Sequence, residues 1–90
     1  MVKGKNKPSG YFKDESETIH DLVLHNDHIH SFDFVIEALI EICDHELLQA
    51  EQCAYIAHFK GKCPVKSGLL SVLKPKYTAL GKRGLTVTIE

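Results

Sequence analysis

Apolar and polar residues follow two different periods along this chain, and the periods predict strands and helices in turn. An unbroken apolar run from Leu22 to Leu24 is typical of a buried strand over residues 21–25. From Ser31 to Cys43, apolar residues recur at spacings of three and four, which predicts a helix with Ser31 as its N-cap. The acidic residues of this segment fall on the opposite side, so one face of the helix is expected to lie in the core.

A second helix is predicted to follow, with Asp44 as its N-cap and Gly61 as its end. Lys60 and Lys62 stand where the negative end of the helix dipole favours cations. The expected apolar stripe of this helix comprises Leu47, Ala50, Cys53, Ala54 and Ala57 and extends to Phe59.

Residues 63–65 are predicted to begin a second strand, in which Pro64 is tolerable only at the start or on a sheet edge. Residues 85–89 alternate between apolar and polar, as in a half-buried terminal strand. Between them, apolar spacing over residues 69–80 predicts a third helix, which Pro75 should kink unless it lies in the first turn. Gly81 and Gly84 are expected to end this helix. The predicted order is β-α-α-β-α-β, an α+β fold with a three-stranded antiparallel sheet packed against three helices.

The length of 90 residues and the 43% apolar content fit one small domain with a single core. Residues 1–18 combine seven charged residues with few apolar ones, which predicts a flexible N-terminal extension before a domain spanning residues 19–90. No apolar run approaches the roughly 20 residues of a membrane span, and the N-terminus shows no apolar signal core. A cytoplasmic location is therefore expected.

The 11 basic and 12 acidic residues nearly cancel, so general electrostatics gives no case for nucleic-acid binding. The charges are unevenly placed, however. Residues 19–62 carry eight acids and two lysines, whereas residues 63–90 carry five bases and one acid. The acidic middle segment would suit a cationic ligand, or its acids would simply coat the solvent faces of the helices.

The cysteines and histidines are residue types that can ligate metals. Cys43, Cys53 and Cys63 are spaced ten residues apart without a C-x-x-C pair, which indicates reduced thiols. A zinc or nickel site built by His25, His28 and His30 remains an alternative, because imidazoles on a strand and the following loop could converge. No catalytic motif or cofactor motif is present, so neither an enzyme nor a cofactor is expected.

Several segments at matching separations resemble one known family. These segments are LVLHND at residues 22–27, FVIEAL at 34–39, QAEQ at 49–52 and HFKGK at 58–62. Together they are similar to ClpS, the bacterial adaptor that delivers proteins to the Clp protease. The resemblance runs from about residue 20 to 66 and resumes at residues 85–90.

The resemblance implies a recognition module for N-degrons, in which the α-ammonium and the first side chain of a substrate are read together. By matching position, Asn26, Asp27 and His58 would hold the ammonium, with His28 as a further candidate. The walls of the side-chain pocket would be Phe32, Val35, Ala54, Ala57 and Leu85. An ammonium offers three donors, and an amide oxygen, a carboxylate and a neutral imidazole can accept them.

The chain departs from the family pattern at the predicted pocket. His28 stands where the family usually carries a second acid, and Phe32 stands where a methionine is common. Ala54 and Ala57 replace larger apolar residues. These departures predict a reshaped pocket that takes large aromatic or leucine side chains.

The family therefore implies an adaptor, not an enzyme, with N-degron substrates and the amino-terminal domain of a Clp-type ATPase as partners, and a monomer as the default state. A second hypothesis is a ClpS-like interaction module that binds something other than a free α-amine. Acetylation of a peptide separates the two, because it abolishes binding only in the first.

Overall fold

The computed structural model describes residues 18–90, so the predicted extension over residues 1–18 lies almost wholly outside the described residues. In chain order the elements are β1 (His20–His25), α1 (Phe32–Cys43), α2 (Leu47–Lys60), β2 (Lys62–Gly68), α3 (Leu70–Lys82) and β3 (Val87–Ile89). The predicted β-α-α-β-α-β order is confirmed. None of the helices in residues 18–90 is long and apolar enough to cross a membrane.

The three strands form one antiparallel sheet in the order β2-β1-β3. The central strand β1 has three consecutive buried residues, which explains its continuous apolar run. Pro64 lies on β2, which is an edge strand of the sheet and therefore tolerates a proline. The register between β1 and β2 shifts at Leu22 and Val23, which pair with Lys66 and Pro64 and leave Val65 as the extra residue of a bulge.

The helices cover the sheet and bury a core contributed by every element. α1 begins where predicted, because Ser31 Oγ accepts a hydrogen bond from the Phe34 N–H at 3.1 Å. α2 ends where predicted, at Gly61 with a φ of 97°. The fully buried side chains of largest volume are Leu22, Leu24, Leu39, Leu73, Leu80 and Cys43.

The junction between α1 and α2 corrects one prediction. Asp44 does not cap the start of α2; it ends α1 in the left-handed conformation, with a φ of 59°. Glu46 occupies the N-cap of α2 without a side-chain hydrogen bond. The buried His45 ring then fixes the junction to the sheet, since its Nε2 donates to the Val65 carbonyl at 2.6 Å.

Two further corrections concern α2 and α3. Leu47 and Phe59 were placed at the two ends of the apolar stripe of α2, but both side chains are exposed. Gly81 was predicted to end α3, but it lies inside the helix, which ends at Lys82. Pro75 also lies inside the helix and does not end it. Gly84, with a φ of 86°, is the glycine that turns the chain toward β3.

Candidate functional site

A cleft of about 260 Å³ opens where the end of β1, the start of α1 and the C-terminal half of α2 meet. Its lining residues are Leu24, His25, Asn26, Asp27, His28, His30, Ser31, Phe32, Val35, Ala54, Ala57 and His58.

Backbone contacts explain why polar groups from distant segments meet at this cleft. The Asn26 N–H donates to the Gly61 carbonyl at 2.9 Å, which ties the loop after β1 to the C-terminal end of α2. His58 lies one turn before Gly61. The left-handed glycine therefore ends the helix at the point that places His58 at the same cleft as Asn26 and Asp27.

Asp27 organises the loop between β1 and α1. Its Oδ1 accepts hydrogen bonds from the backbone N–H groups of Ile29 at 2.9 Å and His30 at 2.8 Å. Its Oδ2 lies 3.1 Å from Nδ1 of the His30 ring. Burial raises the pKa of the carboxyl, but these hydrogen bonds outweigh burial and the pKa of Asp27 lies below its ordinary value. The cleft therefore carries a carboxylate charge at neutral pH.

His30 is held from three sides. Besides its contact with Asp27, its ring stacks on Phe34 with the centroids 4.7 Å apart. Two atoms of the ring lie so close to Gly84 that a Cβ there would approach them to 3.2 Å. His30 thus packs the cleft loop against both α1 and the turn before β3.

Asn26 and His58 differ from Asp27 in the hydrogen bonding of their side chains. Neither side chain hydrogen-bonds to another residue of the described chain, 18–90. The exposed His58 ring is positioned by edge-on contacts with Phe32, at a centroid distance of 5.1 Å, and with Phe59, at 4.7 Å. Both polar groups are therefore available to a ligand in the cleft.

The apolar part of the cleft has a floor of small residues and a rim of larger ones. Ala54 and Ala57 are each only 3% exposed, and their short side chains leave the space that the cleft occupies. Phe32 and Val35 contribute the α1 side. Leu85, the fifth predicted wall residue, is buried in the core and is not among the residues that line the cleft.

Leu24 is an apolar lining residue that the sequence did not single out for this site. It is also part of the buried core. A strand residue can face both the core and an opening into the core. The apolar run of β1 therefore indicates that Leu24 is buried, but it does not indicate that Leu24 lines the cleft.

The histidines proposed as an alternative metal site have separate partners or lie open. His25 Nε2 lies 2.8 Å from Thr88 Oγ1, His30 contacts Asp27, and His28 is exposed. Within residues 18–90, no group of three or more His, Cys, Asp or Glu side chains is placed to hold a metal ion.

The arrangement suits a ligand that has an apolar group at one end and a cationic hydrogen-bond donor at the other. The alanine floor accepts an apolar group, and the Asp27 charge, the Asn26 amide and the His58 imidazole lie around the same opening. Such a cleft can bind and orient a ligand without any covalent step.

Comparison with known proteins agrees with this architecture. No curated protein matches the chain at a significant level. The structure of Agrobacterium tumefaciens ClpS2 bound to L-phenylalaninamide is similar, with a TM-score of 0.72 and 23% sequence identity over 80% of this chain and 94% of that one. At that identity the likeness establishes the fold. The family model of the ATP-dependent Clp protease adaptor protein ClpS matches residues 15–88. The chain therefore belongs to the ClpS family of Clp protease adaptors.

Proposed function

We propose that the chain binds polypeptides whose first residue is bulky and hydrophobic and whose α-amine is free, and that it delivers them to a Clp-type ATPase for degradation. The observation that carries this proposal is the convergence of Asn26, Asp27 and His58 on one cleft with an alanine floor. The ClpS2 structure contains L-phenylalaninamide, a molecule with a free α-amine and an aromatic side chain, which agrees with this ligand chemistry.

The three polar residues have distinct roles in the proposal. Both Asp27 oxygens already accept hydrogen bonds from the loop, so Asp27 attracts the ammonium mainly by its charge. Asn26 and His58 supply the acceptors, because their side chains are not used by other described residues. His28 lines the cleft and is a further candidate acceptor, although a neutral imidazole adds no Coulombic attraction.

The first side chain of the substrate would rest on Ala54 and Ala57 below the rim formed by Phe32. Burial of a phenylalanine or leucine side chain contributes about 1.5 to 3 kcal/mol, and each charge-assisted hydrogen bond a similar amount. After the cost of association, an affinity on the order of 1 μM is expected for a free peptide.

Delivery requires a second partner. Membership of the ClpS family supports the amino-terminal domain of a Clp-type ATPase as that partner, with the adaptor acting as a cytoplasmic monomer. The net positive charge of residues 63–90, from five bases and one acid, distinguishes that part of the chain from the acidic segment that forms the cleft.

Fluorescence anisotropy at pH 7.5 tests the proposal with peptides beginning Phe, Leu, Trp or Ala, each with a free and with an acetylated amino terminus. Binding is expected only when the first residue is bulky and the amine is free. Asn26→Ala should weaken binding about tenfold, which corresponds to one charge-assisted hydrogen bond. Gln52→Ala is the control, because Gln52 is an exposed polar residue of α2 that does not line the cleft. This substitution should leave binding unchanged. Equal binding of acetylated peptides would refute N-degron recognition and favour a ClpS-like module for another ligand.

A further inference from the structure

The helix α2 carries its small residues inside and its large apolar residues outside. The buried side consists of Ala50, Cys53, Ala54 and Ala57. The solvent side instead carries Tyr55 at 53% exposure and Phe59 at 73% exposure. These two rings are not part of the core, and exposed apolar side chains that form a contiguous patch commonly mark a binding surface.

Tyr55 and Phe59 belong to a continuous group of rings at the mouth of the cleft. Tyr55 lies 4.8 Å from Phe32 and 6.1 Å from Phe59 between ring centroids, and its plane is almost parallel to that of Phe59, at 5°. The His58 ring contacts Phe32 and Phe59 edge-on. We call Phe32, Tyr55 and Phe59 the aromatic shelf.

The aromatic shelf is continuous with the cleft. Phe32 and His58 line the cleft, whereas Tyr55 and Phe59 lie beyond it and touch those two residues. A polypeptide held in the cleft by its first residue must leave through the mouth. Its second Cα is only about 3.8 Å from the first, so the second side chain can reach a ring that directly contacts the lining.

We infer that the aromatic shelf binds the side chain of the second residue of the bound polypeptide, and that it selects a large apolar side chain, an aromatic one above all. This inference rests on the proposed function. The shelf offers ring faces and edges and no charged group, so it matches another ring by offset or edge-to-face contact. The proposed substrates are thereby narrowed from polypeptides with one bulky hydrophobic residue at the amino terminus to polypeptides with two such residues in succession.

A second copy of the chain is the alternative occupant of the aromatic shelf. The solvent side of α2 also exposes Leu48 at 65% and Ile56 at 42%, which would extend a self-association surface beyond the shelf. The ring contacts instead concentrate at the cleft mouth, which favours the polypeptide that is proposed to bind there.

The test compares two peptides that begin Phe-Phe and Phe-Ala and are otherwise identical, each with a free and an acetylated amine. Wild type should bind Phe-Phe about three- to tenfold more tightly than Phe-Ala. The single substitutions Tyr55→Ala and Phe59→Ala should each lower the ratio of the two affinities, Phe-Phe over Phe-Ala, to a value close to 1. Leu48→Ala, an equally exposed apolar residue on the first turn of α2, is the matched control and should keep the ratio. Circular dichroism verifies that each variant is folded.

Four results would overturn the inference. Amine-dependent binding with equal affinity for both peptides would reject the shelf while leaving the proposed function intact. A preference that survives both shelf substitutions would place the second side chain elsewhere. Sedimentation velocity showing a dimer that Leu48→Ala or Phe59→Ala dissociates would assign the surface to self-association. If neither free-amine peptide binds, the proposed function and the inference fall together.

Discussion

The Nδ1 atom of His30 lies 3.1 Å from Oδ2 of Asp27, three residues earlier in the same loop. Both side chains are largely buried, with exposures of 19% and 14%. The carboxylate that charges the candidate cleft is therefore also the group that gives the cleft loop its shape. Changes at Asp27 are expected to affect both the stability of the fold and the binding of a ligand.

Asp27→Ala is expected to lower the free energy of unfolding by about 1 to 3 kcal/mol, because two backbone N–H groups and the His30 ring lose their acceptor. The folded-state pKa of Asp27 is lowered. Its contribution is therefore fully present above the unfolded-state pKa of about 3.9, and it is lost as the pH falls through the lower folded-state pKa. Urea unfolding of wild type and variant from pH 7 to pH 2.5 measures this.

Asp27→Asn is the informative companion variant, since its amide oxygen can still accept from Ile29 and His30. It should retain more stability than Asp27→Ala but lose the charge that attracts an ammonium. A stability difference between wild type and Asp27→Ala that grows as the pH falls below about 4 would contradict the assigned sign.

Alanine substitutions at two glycines near the end of α3 are expected to have opposite effects on stability. Gly84 has a φ of 86°, and a Cβ there would lie 3.2 Å from the His30 ring. Gly84→Ala is therefore expected to destabilise the protein by about 1 to 2 kcal/mol through backbone strain, with additional loss from displacement of His30. Thermal unfolding followed by circular dichroism is the measurement.

Gly81→Ala is the matched control. Gly81 lies inside α3, and a Cβ there meets nothing within 4 Å. The substitution should leave stability unchanged or raise it by about 0.5 to 1 kcal/mol, since alanine loses less conformational entropy in a helix. Equal effects of the two substitutions would show that the left-handed turn at Gly84 does not constrain the fold.

The fold was predictable from sequence where a local signal agreed with the tertiary arrangement. Ser31 and Gly61 were predicted as the first cap and the second helix end, and both are confirmed because their roles depend on neighbouring backbone groups. Asp44 was wrongly predicted because an aspartate suits an N-cap, and it also tolerates the left-handed conformation that it adopts at the end of α1.

The candidate cleft was less accessible to sequence reasoning. Asn26, Asp27 and His58 came from the family resemblance, and the structure places all three at one cleft. His58 lies more than 30 residues after Asn26 and Asp27, so only the tertiary fold brings it to them. The spacing of Tyr55 and Phe59 in an apolar helix does not reveal that both face solvent, because α2 is apolar on both sides.

The three cysteines should react slowly in the native protein. All are buried, and burial raises the pKa of the Cys53 thiol to about 12 and that of Cys43 to about 11. Because the thiolate is the reactive form, alkylation by iodoacetamide at pH 8 should be at least about tenfold slower in the folded protein than in urea. Mass spectrometry counts the modified residues. Rapid labelling of Cys53 under native conditions would contradict its burial.

Binding should depend on His58 as a hydrogen-bond acceptor, because its imidazole lines the cleft and is not used by another described residue. His58→Ala is expected to weaken the binding of a Phe-Ala peptide about tenfold, which corresponds to one charge-assisted hydrogen bond. His58→Gln keeps an acceptor at this position, so it should bind more tightly than His58→Ala. Anisotropy titrations at pH 7.5 provide the comparison.

Three other histidines line the same cleft and require a control. His25 contacts Thr88 and His30 contacts Asp27, whereas His28 is exposed and could face the ammonium. His28→Ala should therefore retain the wild-type affinity if His58 is the acceptor. If His58→Ala keeps full affinity and His28→Ala weakens binding, the acceptor is His28, the residue that stands where the family usually carries a second acid.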